Sequence, residues 1–130
     1  MLAQQCATDE KKHAKPPIFM RYDLSKISPT SIIAEIFPEY ANKAAIIAEE
    51  YMIKPANEAN ESESRKLSTC FLRAGNSDGY IELDLHGYES RKGTEKSCLK
   101  VGILPKNGEL EIYHSDYSDY WRLAGKVKPC

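Results

Sequence analysis

Asp84 and His86 have the side chains and the spacing that general acid–base chemistry requires. They lie two residues apart in an alternating run, so we expect them on one face of a β-strand with Cα atoms about 7 Å apart. An acid that orients a histidine is part of many general-base sites. Arg73 and Glu82 are predicted to share this face. The sequence contains no G-x-S-x-G motif and no Gly-rich phosphate loop, and we identify no nucleophile for the pair. An ordinary solvated strand face with mixed charges has the same pattern. A small hydrolase-like enzyme is therefore the alternative interpretation and not the main one.

The second candidate is residues 109–121, ELEIYHSDYSDYW, which we call the acidic-aromatic segment. It holds four acidic residues, three tyrosines and the only tryptophan, and neither Lys nor Arg. Tyr and Trp dominate binding hot spots, and aspartates complement a basic partner. The segment therefore predicts a surface that covers the basic cleft of a toxin or enzyme. The predicted contact residues are Tyr113, Asp116, Tyr117, Asp119, Tyr120 and Trp121. In the structural alternative, these aromatic residues close one end of the core and the aspartates keep it hydrated.

The alternation in this segment also assigns its histidine. Leu110, Ile112 and His114 are predicted to point inward, which favours a packed or hydrogen-bonded histidine over a catalytic one. A metal site would require His86 and His114 to converge from opposite faces of the sheet, so we predict neither a metal nor a cofactor.

Four cysteines are spread over the chain, at positions 6, 70, 98 and 130. No C-x-x-C and no neighbouring histidine supports a zinc site. A cysteine at a chain end is better explained by a disulfide than by packing, which predicts an oxidising compartment and hence a periplasmic or extracellular mature chain. Of the three pairings we slightly favour Cys70–Cys98 with Cys6–Cys130, although the first bond would need a bulge or a frayed strand. Four reduced cysteines in the cytosol are the alternative.

The overall composition is that of one globular domain. The 130 residues include 28% charged and 42% hydrophobic residues, with a net charge of −1. This balance argues against general nucleic-acid binding, which usually needs a basic face. No apolar run approaches the ~18 residues of a membrane-spanning helix.

The first half of the chain predicts two helices. Ser28 is a predicted N-cap followed by Pro29 at the first helical position, which gives a helix over 29–37. A second helix over 39–53 would bury a face at helical spacing and stop before Pro55. The members of that face are Tyr40, Ala44, Ile47, Ala48 and Tyr51. Residues 1–17 are a predicted flexible tail, 18–130 one domain, and 54–66 a polar linker.

The second half predicts two hairpins over residues 67–116. In the first, Leu72 faces Leu83, and the apolar face comprises Cys70, Leu72, Ile81, Leu83 and Leu85. In the second, Asn107-Gly108 is the preferred type I′ dipeptide, and the register pairs Ile103 with Ile112. Residues 18–24 and the segment from 121 onward are either further strands or extensions.

These elements predict an α+β fold, with the helical segment packed on a four-stranded antiparallel meander. The predicted function is non-enzymatic binding of inhibitor or immunity type. Self-association through a sheet edge, which would give a homodimer, is a further alternative.

Overall fold

The computed structural model has the predicted α+β fold and describes residues 19–59, 65–74, 79–89, 93–115 and 120–129. Within those ranges, helices from the first half of the chain pack on one face of an antiparallel meander of six strands, arranged in chain order. The strands are β1 Phe19–Asp23, β2 Arg65–Ala74, β3 Ile81–Glu89, β4 Thr94–Lys106, β5 Glu109–Ser115 and β6 Arg122–Val127. The two segments that the sequence left open are thus the edge strands. β1 pairs with β2, and β6 pairs with β5.

Both hairpin registers are confirmed. Leu72 lies opposite Leu83, and Ile103 lies opposite Ile112. Asn107 has φ 52° and Gly108 φ 80°, the two left-handed residues that a type I′ turn requires. The turn of the first hairpin at 76–79 lies outside the described residues except for Gly79.

Helix α1, Pro29–Ile36, begins as predicted: the Ser28 side chain accepts a hydrogen bond from the Ser31 backbone N–H. A 3₁₀ segment, Pro38–Lys43, leads into a continuous helical stretch. That stretch consists of α2 Ala44–Ala48, a π-helical segment Glu49–Ile53 and α3 Lys54–Ala59.

The prediction that Pro55 ends the second helix is wrong, and with it the assignment of residues 54–59 to a linker. In the π-helical segment, the Lys54 N–H donates to the Glu49 carbonyl, five residues back. Pro55 has no N–H with which to bond the carbonyl of Tyr51, four residues back. The wider π turn accommodates the proline, and a side chain of the sheet reaches the Tyr51 carbonyl instead: His114 Nε2 lies 2.8 Å from that oxygen.

The core lies between the helices and one face of the sheet. The predicted apolar face of the first hairpin is fully buried there, as are Leu99, Val101, Ile103, Leu110 and Ile112 from the next two strands. Of the predicted helical face, Tyr51 is only partly buried. We call the opposite side of the sheet the outer face. In the described ranges, no helix is long and apolar enough to cross a membrane.

Candidate functional site

The predicted Asp84–His86 pair is formed on the outer face of β3. His86 Nε2 lies 3.2 Å from Asp84 Oδ2. The other carboxylate oxygen, Oδ1, accepts a hydrogen bond of 2.6 Å from Ser97 Oγ on β4. Asp84 is only 9% exposed, so this is a largely desolvated carboxylate with two side-chain partners.

Two β-bulges flank His86, one in each neighbouring strand. On β2, Leu67 pairs with Gly87 and Thr69 with His86, so Ser68 is an inserted residue. On β4, Leu85 pairs with Leu99 and His86 with Ser97, so Cys98 is inserted. Bulges redirect side chains and are frequent next to active sites. Here the bulge on β4 brings Ser97 to the outer face and buries both Cys98 and Leu99.

Glu95 completes a polar cluster that the sequence did not reveal. Its carboxylate accepts hydrogen bonds from Thr69 Oγ1 at 2.5 Å and from Ser68 Oγ at 2.7 Å. Both bonds lower the pKa of Glu95 below its ordinary value, and the bond from Thr69 has the larger effect. We call Ser68, Thr69, Asp84, His86, Glu95 and Ser97 the polar cluster. The period-2 pattern could not bring Ser68 and Glu95 together, because their contact depends on the two bulges.

The order of contacts limits the chemistry of the polar cluster. In a serine triad, the histidine lies between the serine and the acid and takes the serine's proton. Here Asp84 lies between Ser97 and His86 and contacts both. The arrangement can orient an imidazole, but it does not couple the histidine to the serine. The rings of Phe71 and His86 pack edge-on with their centroids 4.7 Å apart, and this contact further fixes the imidazole.

The other two residues of the predicted catalytic face lie beside this cluster. Arg73 and Glu82 are cross-strand partners on β2 and β3, two positions along from the pair formed by Phe71 and Asp84. The structure therefore brings all four predicted residues to one face, with Asp84 and His86 in direct contact.

The described part of the acidic-aromatic segment forms an aromatic cluster with a residue from outside it. Trp121 packs edge-on against Tyr80, with ring centroids 6.4 Å apart at 84°. Tyr80 lies across Gly102, and Gly102 pairs with Tyr113. We call Tyr80, Tyr113 and Trp121 the aromatic cluster. Tyr80 lies outside residues 109–121, so the composition of the acidic-aromatic segment could not reveal its part in this cluster.

Hydrogen bonds and acids surround this cluster. Tyr113 Oη donates to Glu111 Oε1 at 2.9 Å, which raises the tyrosine's pKa. Burial, and then the nearby Glu82, raise the pKa of Tyr80. Glu111 Oε2 lies 3.8 Å from Lys126 Nζ of β6. Both tyrosines therefore stay protonated and can act as hydrogen-bond donors at neutral pH.

Exposed apolar side chains adjoin the cluster. Tyr120 is 67% exposed and Leu123 51% exposed, on either side of Trp121 and Arg122. The remaining predicted contact residues, Asp116, Tyr117 and Asp119, lie outside the described residues.

His114 is hydrogen-bonded, as predicted. Its Nε2 contacts the Tyr51 carbonyl, and its ring lies 6.4 Å from the Tyr51 ring. Burial lowers the pKa of His114, and Arg122 lowers it further, whereas the bond to Tyr51 acts in the opposite direction. This neutral donor belongs to the contact between helix and sheet rather than to either cluster.

The predicted Cys70–Cys98 disulfide is absent, because both residues are thiols in the structure. Cys70 pairs with Leu85, which pairs with Leu99, so a whole strand separates the two cysteines. Two strand spacings place their Cα atoms about 9–10 Å apart, beyond the ~7 Å limit for a disulfide. Burial, and then Asp84, raise the pKa of Cys70 to about 12. Cys6 and Cys130 lie outside the described residues.

Comparisons with protein-family models, curated proteins and solved structures find no match to this chain. Among the residues that the structure describes, no three His, Cys, Asp or Glu side chains are grouped to hold a metal ion. Any functional conclusion therefore depends on the two clusters themselves.

Proposed function

We propose that this protein is a non-enzymatic binding protein of inhibitor or immunity type. It covers the cleft of a basic protein partner with the acidic-aromatic segment and the aromatic cluster. The observation that carries the proposal is the exposure of Tyr120 and Leu123 next to a Trp121 ring that is already held by Tyr80. Aromatic side chains of this kind bury a large area on binding and are frequent hot spots.

Preorganisation favours binding here. Ordering a flexible side chain at an interface costs about 0.5–1.5 kcal/mol. Tyr80 is held against the backbone of Gly102, and Trp121 against Tyr80, so part of this cost is already met in the unbound protein. The hydrogen bond from Tyr113 to Glu111 fixes a third ring. The partner would meet a rigid aromatic platform bordered by acids.

Charge supports a basic partner. The acidic-aromatic segment carries four acids and no basic residue. Such a surface accelerates the encounter with a cationic cleft, an effect that salt screens beyond about 8 Å at physiological ionic strength. A periplasmic or extracellular location remains part of the proposal. It now depends on Cys6 and Cys130, since Cys70 and Cys98 are thiols.

The test starts from a partner captured on the immobilised protein at low salt and then purified. Affinity is measured for the wild type, Tyr120→Ala and the double variant Asp116→Lys, Asp119→Lys. We expect Tyr120→Ala to weaken binding about tenfold or more, the effect of losing a hot-spot side chain. The double variant should slow association and reduce its dependence on salt.

Ile46→Ala is the matched control, because Ile46 is 60% exposed but lies on the helical side. We expect Ile46→Ala to bind normally. If the captured partner is an enzyme, it should lose activity when the wild-type protein is added. A partner whose affinity is unchanged by Tyr120→Ala and by the charge reversal would contradict the proposal.

A second candidate function, a small hydrolase-like enzyme, is favoured by the Asp84–His86 contact between two bulges. Its test is turnover of a panel of ester, amide and glycoside substrates by the wild type and His86→Ala, with His114→Gln as a control. Loss of turnover in His86→Ala alone, with an unchanged circular dichroism spectrum, would replace the binding proposal by this one.

A further inference from the structure

We infer that acidification releases the first half of β6, and with it the Trp121 side of the aromatic cluster, through the protonation of His114. The release itself is a property of the isolated chain. Its role in controlling a partner rests on the function proposed above.

The geometry places His114 where three elements meet. On β5 its Cα partners are Val101 of β4 and Arg122, the first residue of β6. From the helical side, the Tyr51 carbonyl accepts the Nε2–H at 2.8 Å and the Tyr51 ring lies beside the imidazole. Because Pro55 cannot bond this carbonyl, the neutral histidine connects the helical layer to the edge of the sheet.

The surroundings disfavour a charged imidazole. Among the described residues, the charged group that faces His114 is Arg122, directly across the strand pair. Like charges in such a position destabilise a β-pair. Glu50 and Lys54, on the same helical stretch as Tyr51, are exposed and form an ion pair with each other at 3.7 Å. Burial is the larger effect, because it removes hydration from the charged imidazole, and together with the repulsion it outweighs the bond to the Tyr51 carbonyl, which favours the charged form.

The direction of the pH effect follows from the lowered pKa of His114. We call the protein closed when the first half of β6 is paired with β5, and open when it is released. In the closed form His114 binds a proton more weakly than in the open form, where the imidazole is hydrated and has its ordinary pKa of 6.5. The closed form is therefore fully favoured above pH 6.5 and loses this advantage as the pH falls toward the lowered pKa. Between the two pKa values, each pH unit shifts the equilibrium toward the open form by up to about tenfold.

The start of β6 is the part most easily released. Arg122, Leu123 and Ala124 are all exposed, and a bulge interrupts the pairing of β5 with β6 at Ala124. Beyond the bulge, Gly125 lies against the Tyr51 ring and holds the second half of the strand. Opening of the first half would displace the residue just before it, Trp121, and separate it from Tyr80.

Trp121 is the only tryptophan of the chain and reports this opening directly. Its emission maximum and its quenching by acrylamide are followed from about pH 8 to about pH 4.5, the range over which histidine titrates. We expect a red shift and stronger quenching with a midpoint below 6.5. His114→Gln, which keeps a side-chain donor but does not titrate, should remove the transition, and His86→Gln should retain it.

Arg122→Gln provides a second measurement that does not alter the histidine. Removal of the opposing charge lets the paired strand tolerate the charged imidazole better, so the transition midpoint should move to lower pH. A transition that persists in His114→Gln would overturn the inference. If that variant does not fold, an unchanged midpoint in Arg122→Gln overturns it instead.

The failure of this inference is distinguishable from that of the proposed function. If a partner requires Tyr120 for binding but the pH transition of Trp121 fluorescence persists in His114→Gln, only the pH release is refuted. A His114-dependent transition, together with binding unaffected by Tyr120→Ala, removes the proposed function alone.

Discussion

Gly102 is expected to be a critical position for the aromatic cluster, and Gly102→Ala tests this. A Cβ at this position would lie 2.4 Å from Tyr80 Oη and 3.0 Å from two atoms of its ring. Separations this short are not tolerated, so the ring must move away from the sheet. Because Tyr80 also packs edge-on against Trp121, moving it disrupts the contact on which the proposed surface depends.

The magnitude of this effect comes from three opposing contributions. Replacing a strand glycine by alanine stabilises the fold by about 0.5–1 kcal/mol. Overpacking costs about 1–3 kcal/mol, and loss of the aromatic pair about 0.5–1.5 kcal/mol. The net expectation is a destabilisation of about 2 kcal/mol. For a chain of 130 residues, this lowers Tm by roughly 7 °C.

A double-mutant cycle with Tyr80→Phe isolates the clash. The phenylalanine lacks the oxygen at 2.4 Å but keeps the ring atoms at 3.0 Å, so it relieves the overlap only in part. We expect Gly102→Ala to cost about 1 kcal/mol less in this background, within the range of coupling measured for residues in contact. Thermal unfolding followed by circular dichroism gives all four free energies. A cost that is the same in both backgrounds, or an increase in Tm for Gly102→Ala, would refute the reasoning.

Three further predictions concern the core and the polar cluster. Leu83 is fully buried on a central strand, so Leu83→Ala should lower the free energy of unfolding, measured in urea, by about 3 kcal/mol. A loss below about 1 kcal/mol would contradict its placement in the core. Because burial raises the pKa of Cys70 to about 12, iodoacetamide at about pH 8 should modify Cys70 only after denaturation, as read by mass spectrometry. Hydrogen bonds from Thr69 and Ser68 lower the pKa of Glu95, so the carboxylate stabilises the fold above pH 4.5 and loses this contribution as the pH falls through the lowered pKa. Glu95→Gln should therefore flatten the acid side of the curve of Tm against pH, and an unchanged curve would rule out this role.

The sequence was sufficient to predict the fold class and both hairpin registers. Alternation with period 2 determines which side chains face the core, and a one-residue slip would expose all of them. Asn107-Gly108 fixed the second register, because both residues must adopt positive φ. The edge strands β1 and β6 were left open for the opposite reason. They are short, and the exposed β6 lacks a clear alternation of buried and exposed residues.

The sequence did not predict helix α3, because the helix-breaking effect of Pro55 is compensated by a contact from another part of the fold. A proline inside a helix costs ~3 kcal/mol or more in isolation, partly through the bond that it cannot make. Here the π-helical segment before Pro55 widens the turn, and His114 reaches the Tyr51 carbonyl from a strand more than 60 residues away. No local window of sequence contains that contact.

The polar cluster and the cysteines depend on one residue, Cys98. Strict alternation on β4 would place Cys98 and Leu99 on opposite faces, and the sequence therefore implied that a Cys70–Cys98 bond needs a bulge. The bulge is present, but its effect is different: it brings Cys98 to the core side while an entire strand still separates it from Cys70. The same inserted residue shifts Ser97 to the outer face, where it bonds Asp84. One added residue thus turns Cys98 into the core and supplies the acid–histidine pair with a hydroxyl partner, whereas it is the intervening strand β3 that keeps Cys98 from bonding Cys70.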